Sequence, residues 1–171
     1  MAPLNIRQFG EDDARDVVVL FTMVNRLLAP DTMKEAFEHY IQNSIDDEMG
    51  RIAEYYAEKG GGFWVAEADG ELIGMFGLEP SGTDAMELRR MYVHPDWRRQ
   101  GIANTMLRTA EDLCRSEGCK RLDLSTSEVQ PDALAFYRAA GYAQTRDEVA
   151  DAATNKTIGG GIRRYHFEKT L

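Results

Sequence analysis

Arg98-Arg99-Gln100-Gly101-Ile102-Ala103-Asn104 lies between a strand-like run and a helix-like run, and the reading of this turn decides the fold. Before it, Met86-Glu87-Leu88-Arg89-Arg90-Met91-Tyr92-Val93 reads as a strand. After it, Ile102, Met106, Leu107, Ala110, Leu113 and Cys114 recur at helical spacing toward Glu117, with Gly118 as a natural C-terminal cap. An R-x-x-G-x-A turn in that place exposes backbone N–H groups at a helix N-terminus, where orphan donors and the positive end of the dipole favour an anion. Gly101 and Ala103 keep the backbone bare enough for a phosphate to approach. A tight strand-to-helix turn serving packing alone would look the same at this range.

Outward from the turn the chain divides in two. Toward the N-terminus, residues 5–9 form a short strand, residues 12–28 a helix with Val17, Leu20, Phe21, Val24, Leu27 and Leu28 on one face, and Pro30 stops it. A second helical region starts at Asp31 and runs toward Tyr56, broken near Gly50. Gly60-Gly61-Gly62 ends this half. Residues 63–68 and 71–78 are then strands joined by Asp69-Gly70, a strong hairpin signal, and the third strand at about 85–93 completes a meander. Residues 121–126 form a strand, Pro131 opens a short helix that Gly141 ends, and strands at about 142–149 and 162–170 flank a polar loop. No helix follows Gly159-Gly160-Gly161, so that run reads as a flexible hairpin loop and not a phosphate cradle. The order β-α-α-β-β-β-α-β-α-β-β predicts an α+β sandwich around a mixed, mostly antiparallel central sheet.

A chain of 171 residues, 43% hydrophobic and 29% charged, is expected to be one domain spanning residues 1–171. It has no apolar run of the roughly 20 residues that would span a bilayer. Its first residues lack the basic and apolar regions of a signal peptide, so we expect a cytoplasmic protein without a membrane partner. Cys114 and Cys119 agree with a reducing compartment, and Cys114 falls on an apolar helix face. His39, His94 and His166 are scattered, and no metal-ligand set accompanies them. A net charge of −9 argues against nucleic acid. The charge is uneven: residues 1–60 hold twelve acids and six bases, whereas residues 86–121 hold eight bases and five acids. The second region suits an anionic cofactor; the first suits an amine substrate, or is simply a solvated acidic helix surface.

From Glu87 to Leu107 the sequence resembles the acyl-CoA-binding motif of the GCN5-related N-acetyltransferase (GNAT) family. Downstream, Gln130-Pro131-Asp132-Ala133-Leu134-Ala135-Phe136-Tyr137-Arg138-Ala139-Ala140-Gly141-Tyr142 resembles that family's second motif, N-x-x-A-x-x-[LF]-Y-x-x-x-G-[FY]. The likeness covers roughly residues 62–145, and between Phe63 and Ser127 it is similar to the camello-related branch, whose acceptors include amino-acid derivatives and lysine amines. It implies a GNAT-type sandwich, acetyl-CoA as co-substrate, an amine acceptor, and direct attack in a ternary complex without a covalent enzyme intermediate.

The resemblance also implies roles. The backbone of Arg99, Gln100, Gly101, Ile102, Ala103 and Asn104 would hold the pyrophosphate, with the side chain of Arg98 or Arg99 adding charge-assisted contacts. Met91, Tyr92 and Val93 would pair with the pantetheine arm and offer an N–H to the thioester carbonyl. Tyr137 matches the family's general acid toward the departing thiolate, a role compatible with packing beside Phe136. Gln130 stands where the family usually has Asn, and its extra methylene alters the geometry of that contact. Glu87 occupies the position of the glutamate that deprotonates the amine in several members; alternatively it is a solvated carboxylate paired with Arg89 or Arg90. Strand alternation puts Glu87, Arg89, Met91 and Val93 on one face and Leu88, Arg90 and Tyr92 on the other. Glu79 and Asp84 are weaker candidates for substrate contacts, and Ser125-Thr126-Ser127-Glu128 lines the acceptor channel or is an ordinary turn.

Two functions stay open: an N-acetyltransferase, favoured by the presence of both Glu87 and Tyr137, and a sensor that holds acyl-CoA without turnover. A nucleotide kinase is excluded, because no G-x-x-x-x-G-K-[ST] stretch exists. The acceptor pocket would be built from about residues 25–50 and 150–162, with Tyr40, Tyr55, Tyr56 and Trp64 in its wall or in the core. Relatives in the resembled family are often homodimers, which leaves that assembly open here.

Overall fold

A computed structural model describes residues 3–171. In chain order it has β1 (Asn5–Gln8), α1 (Ala14–Leu28), α2 (Lys34–Ser44), a π-helical turn (Ile45–Met49), α3 (Ile52–Lys59), β2 (Gly62–Ala68), β3 (Glu71–Gly82), β4 (Ala85–Val93), α4 (Ile102–Ser116), β5 (Arg121–Ser127), α5 (Pro131–Ala139), β6 (Ala143–Ala150) and β7 (Ile162–Thr170). The seven strands form one sheet in the order β1-β2-β3-β4-β5-β7-β6. Only β4 and β5 run parallel. The expected α+β layout and element order are observed. The predicted break near Gly50 is the π turn followed by the short helix α3.

Each face of the sheet buries its own core. On one side α1, α2 and α3 close over Val65 and Met75, with Val17, Phe21, Phe37, Ile41 and Tyr56 at their centre. On the other, α4 lays Met106 and Ala110, both 0% exposed, against Ile73, Phe76, Leu88 and Leu122. Burying one such Met or Phe side chain is worth about 1.5–3 kcal/mol, so these two stripes fix both helix layers. Cys114 belongs to the second core, where burial pushes its thiol up to about 12; it is packing material and not a nucleophile. Gly77 lies in β3 where the Tyr56 ring crosses the sheet: a Cβ there would stand 2.4 Å from the Tyr56 hydroxyl oxygen.

Two irregularities create a cleft. The parallel ladder between β4 and β5 runs from Ala85↔Arg121 only as far as Leu88↔Leu124, so the β5-facing edge of β4 is unpaired beyond Leu88. On its other side β4 bulges: Arg89 faces Gly77, but Tyr92 faces Met75, and Arg90 takes a left-handed backbone with φ 56°. The bulge overturns the simple alternation expected for this strand. Arg89, Arg90 and Tyr92 all serve the α1–α3 side, whereas Leu88, Met91 and Val93 serve the α4 side. Among the described residues, no helix is long and apolar enough to cross a membrane.

Candidate active site

The turn at residues 98–104 joins the end of β4 to the start of α4. A short 3₁₀ turn (Pro95–Trp97) leads into Arg98, Arg99 adopts φ 62°, and Gly101 adopts φ 78° as the residue before α4. Gly101 has no side chain to cap the helix. Among the described residues, the N–H groups of Gly101, Ile102, Ala103 and Asn104 find no protein acceptor, and the first to find one is Thr105, which donates to the Gly101 carbonyl at 3.1 Å. A Cβ on Gly101 would meet nothing within 4 Å, so the space over these donors is open. The Arg98 and Arg99 side chains are exposed beside them and form no ion pair among the described residues. Four aligned donors at a helix N-terminus, with two arginines in reach, make an anion cradle.

Deeper in the cleft, a cavity of about 110 Å³ gathers Glu87, Met91, Tyr92, Gln130 and Tyr137 from β4 and α5. Gln100, Gly101 and Ile102 instead border a second hollow of about 140 Å³ beside Trp97 and Ile73. The candidate residues therefore divide between the turn at 98–104 and the cavity, with Val93 at the end of β4 between them in the chain. Gln130 stands at the head of α5, its N–H donating to the Ser127 carbonyl at 3.0 Å. Tyr137 packs on Phe136 at 5.2 Å, is buried, and its hydroxyl has no partner among the described residues. Burial pushes that phenol well above its usual range, with the Tyr92 hydroxyl adding to the effect, so it stays protonated at any working pH. The hydroxyls of Thr126 and Ser127, where β5 leaves β4, are buried without partners. Orphaned polar atoms lining a cleft fit a ligand that supplies their hydrogen bonds.

Glu87 is about a quarter exposed on the opposite side of the cleft, 4.0 Å from both Arg89 and Lys156. Of the two weaker carboxylate candidates, Glu79 is drawn in: it accepts from Lys156 at 2.7 Å and Tyr55 at 2.9 Å. Burial pushes its carboxyl up, but the Lys156 hydrogen bond and the Arg89 charge outweigh this and hold it below the usual range. Asp84 is exposed at the β3–β4 turn and takes no part. Tyr40 lines the cavity, whereas Tyr55 and Tyr56 hold carboxylates and Trp64 stacks on Phe76 in the other core.

The sequence singles out neither Glu48 nor Arg164, whereas it does place residues 150–162 beside the acceptor pocket. Glu48, one of the twelve acids of residues 1–60, is 0% exposed: the π turn carries it inward, where Arg89 donates at 2.5 Å, Arg90 at 3.0 and 3.1 Å, and Tyr56 at 2.7 Å. Such turns often occur at functional sites. Two adjacent arginines in an apolar strand were the available signal, since buried guanidinium groups demand an acid. The loop between β6 and β7 folds over the site and ties Asn155 to Glu48 and Lys156 to Glu79. Arg164 of β7 reaches the cavity wall and donates to Ser125 at 2.9 Å.

The chain is similar to known proteins both in sequence and in fold. Residues 26–142 match the model of the acetyltransferase (GNAT) family. N-acetyltransferase 8 of Rattus norvegicus is 30% identical over 126 residues, covering 70% of this chain and 57% of that protein. N-acetyltransferase 8 of Homo sapiens is 30% identical over 118 residues, covering 66% and 52%. The chain thus spans little more than half the length of these curated relatives. In fold it is similar to a GNAT-family acetyltransferase from Staphylococcus aureus Mu50 (TM-score 0.76, 16% identity, 99% of both chains). It is similar too to the PaiA N-acetyltransferase of Thermoplasma acidophilum, solved in complex with coenzyme A (TM-score 0.75, 20% identity, 99% of both chains).

Proposed function

The chain belongs to the GNAT family of acetyltransferases, and from that premise we propose that it is an N-acetyltransferase using acetyl-CoA to acetylate a primary amine by direct attack. One observation carries the proposal. The N–H groups of residues 101–104 are open and suit a pyrophosphate, and the edge of β4 left unpaired beyond Leu88 borders a cavity that holds both Glu87 and Tyr137.

Acetyl-CoA supplies the acetyl group as a thioester, already activated for attack. The chain's part is to hold, orient and move protons. Residues 101–104 grip the diphosphate through the main chain, and Arg98 and Arg99 add charge. Met91, Tyr92 and Val93 offer their free strand edge to the pantetheine arm, and one of their N–H groups polarises the thioester carbonyl. Gln130, Thr126 and Ser127 supply side-chain polar groups along the same path. Glu87 accepts the proton that the ammonium must lose before its nitrogen can attack. As the new C–N bond forms and the C–S bond breaks, the Tyr137 hydroxyl donates its proton to sulfur. Its raised pKa is no obstacle, because the same dry surroundings raise the thiol's affinity for a proton.

The test is release of free thiol from acetyl-CoA with a broad panel of primary amines, together with detection of the acetylated product by mass. Turnover with any acceptor supports the transferase reading. Tight acetyl-CoA binding with no release above background across the panel would replace it with the sensor reading.

A further inference from the structure

Asn155, Lys156 and Ile158 of the β6–β7 loop all line the Glu87 cavity, and the loop is anchored on both sides of Lys156. Before it, the Asn155 side chain donates to Glu48 at 3.2 Å and the Asn155 carbonyl accepts from Arg90. After it, Ile158 is buried in the core under α1–α3. These neighbours hold Lys156 at the cavity whatever its own side chain binds. Its Nζ lies 2.7 Å from Glu79 and 4.0 Å from Glu87, the base of the proposed transfer. A primary amine of this chain thus stands where an acceptor ammonium must arrive, and its flexible four-carbon stem lets it turn from one carboxylate to the other.

Charge points to the same residue. The cations that line this cavity are Arg89, Arg90, Lys156 and Arg164. Among the described residues, the carboxylates within 4.0 Å of any of them are Glu48, Glu79 and Glu87, so four cations face three acids. The shortfall falls on Arg89, whose Nε and Nη1 are buried without hydrogen-bond partners. Its Nη1 stands 3.5 Å from the same Glu79 oxygen that Lys156 holds at 2.7 Å. An uncompensated buried charge destabilises the fold. A guanidinium keeps its proton at any working pH, whereas an amine loses its charge for good on forming an amide. Acylation of Lys156 would leave three arginines against three carboxylates and free the Glu79 oxygen for Arg89.

We propose that Lys156 is a self-acetylation site, at which the machinery that serves an external amine transfers an acetyl group to its own chain. This deepens the transferase reading and rests on it, and it leaves the external acceptor unspecified. Glu87 takes one proton from the Lys156 ammonium, and the Nζ lone pair then attacks the thioester carbonyl carbon. The C–N bond forms, the C–S bond breaks with its electron pair on sulfur, and Tyr137 protonates that sulfur. The new amide nitrogen gives up its second proton, which returns Tyr137 to the phenol. One lysine ammonium and one acetyl-CoA thus become acetyl-lysine, coenzyme A and a proton that Glu87 passes to water. The acetylated side chain is neutral, so its ion pair with Glu79 is lost while the Asn155 and Ile158 anchors of the loop remain.

The experiment incubates the purified chain with acetyl-CoA and no acceptor amine, following thiol release and, by mass spectrometry of tryptic digests, the position of the acetyl group. Trypsin cuts after an unmodified Lys156; acetylation joins the fragments on either side into one peptide spanning residues 147–163, heavier by one acetyl group. The wild type should release thiol in a single burst of one equivalent per chain, with the acetyl group on Lys156 and not on Lys34, Lys59, Lys120 or Lys169. The fraction acetylated at a given time should not depend on protein concentration. K156R, which keeps a cation beside Glu79 but offers no amine, should give no burst while still turning over external amines. Y137F should slow the modification by at least about tenfold. Acetylation spread evenly over the lysines, a Y137F rate equal to that of the wild type, or a rate proportional to protein concentration overturns the inference. So does an unmodified Lys156 in a protein that turns over external amines, and in that case the transferase reading stands. A protein that acetylates neither itself nor any amine overturns both.

Discussion

Arg90 and Glu48 lie 42 residues apart in the chain and meet at 3.0 and 3.1 Å, and the meeting holds the β4 bulge in place. Arg90 is left-handed at φ 56°, a conformation that costs a non-glycine residue about 1–2 kcal/mol. Its guanidinium also donates to the Tyr40 hydroxyl at 2.6 Å and to the Asn155 carbonyl, so the bulge is anchored to α2, the π turn and the β6–β7 loop together. The bulge puts Arg89 and Arg90 on the same side of the sheet, just past Leu88 where β4 loses its β5 partner.

Replacing Glu48 with Gln should therefore destabilise the fold by about 3–5 kcal/mol near neutral pH, the usual cost of breaking one side of a buried ion pair. Burial pushes the Glu48 carboxyl up, but Arg90 and Arg89 outweigh it and hold the group below its usual range. A carboxyl with a depressed folded pKa adds stability above its unfolded value, about 4.5, and loses it as the pH falls toward the folded one. The gap between wild type and E48Q in urea unfolding should thus narrow as the pH is lowered from about 7 into the acid range. A constant gap would show that the carboxylate's charge is not what matters.

Tyr137→Phe should lower kcat by about 10²–10⁴-fold, the range typical of a lost general acid, with the Kd for acetyl-CoA changed less than about threefold. Because the phenol is held well above its ordinary value of 10, the wild-type rate should show no loss from its ionisation up to about pH 10. Thiol-release kinetics and calorimetry check both statements, and a variant with the wild-type rate would remove Tyr137 as the proton donor.

The parts of this site that were legible in the sequence are those a local pattern encodes. The turn at Gly101 follows from small residues between a strand and a helix, and Tyr137 from its place in a motif on a single short helix. Glu87 was legible as a position, but not its neighbours, because Lys156 arrives from a loop 69 residues downstream with no periodicity of its own. Alternation failed at Arg90, since a bulge is set by what the side chain must reach across the sheet, and Glu48 gives no local sign of turning inward. Arg164 sits beside Arg163 in β7, and nothing local tells that one of the two reaches Ser125 in the cavity wall.

Glu87→Gln should lower kcat by about 10²–10³-fold near neutral pH and flatten the rising limb of the pH–rate profile, because the residual reaction relies on acceptor molecules that arrive already neutral. The deficit should shrink as the pH approaches the acceptor amine's own pKa. A profile for E87Q parallel to that of the wild type, at any height, would remove Glu87 as the base and leave it as a surface carboxylate beside Arg89.

Gly101→Val probes the phosphate turn. The position needs φ 78°, which a β-branched residue adopts only with strain, and the new side chain would project into the open space above the N–H groups of Ile102, Ala103 and Asn104. Backbone strain of about 1–2 kcal/mol should lower Tm by a few degrees in a chain of this size. Acetyl-CoA affinity should fall further than that strain accounts for, at least tenfold, because the obstruction stands where the diphosphate docks. Calorimetric titration with acetyl-CoA and with dephospho-acetyl-CoA, which keeps the diphosphate but lacks the ribose phosphate, separates the two anions of the ligand. Both should weaken equally if the diphosphate is what residues 101–104 hold. Unchanged affinity for either would place the anchor of the cofactor elsewhere and leave the turn as packing alone.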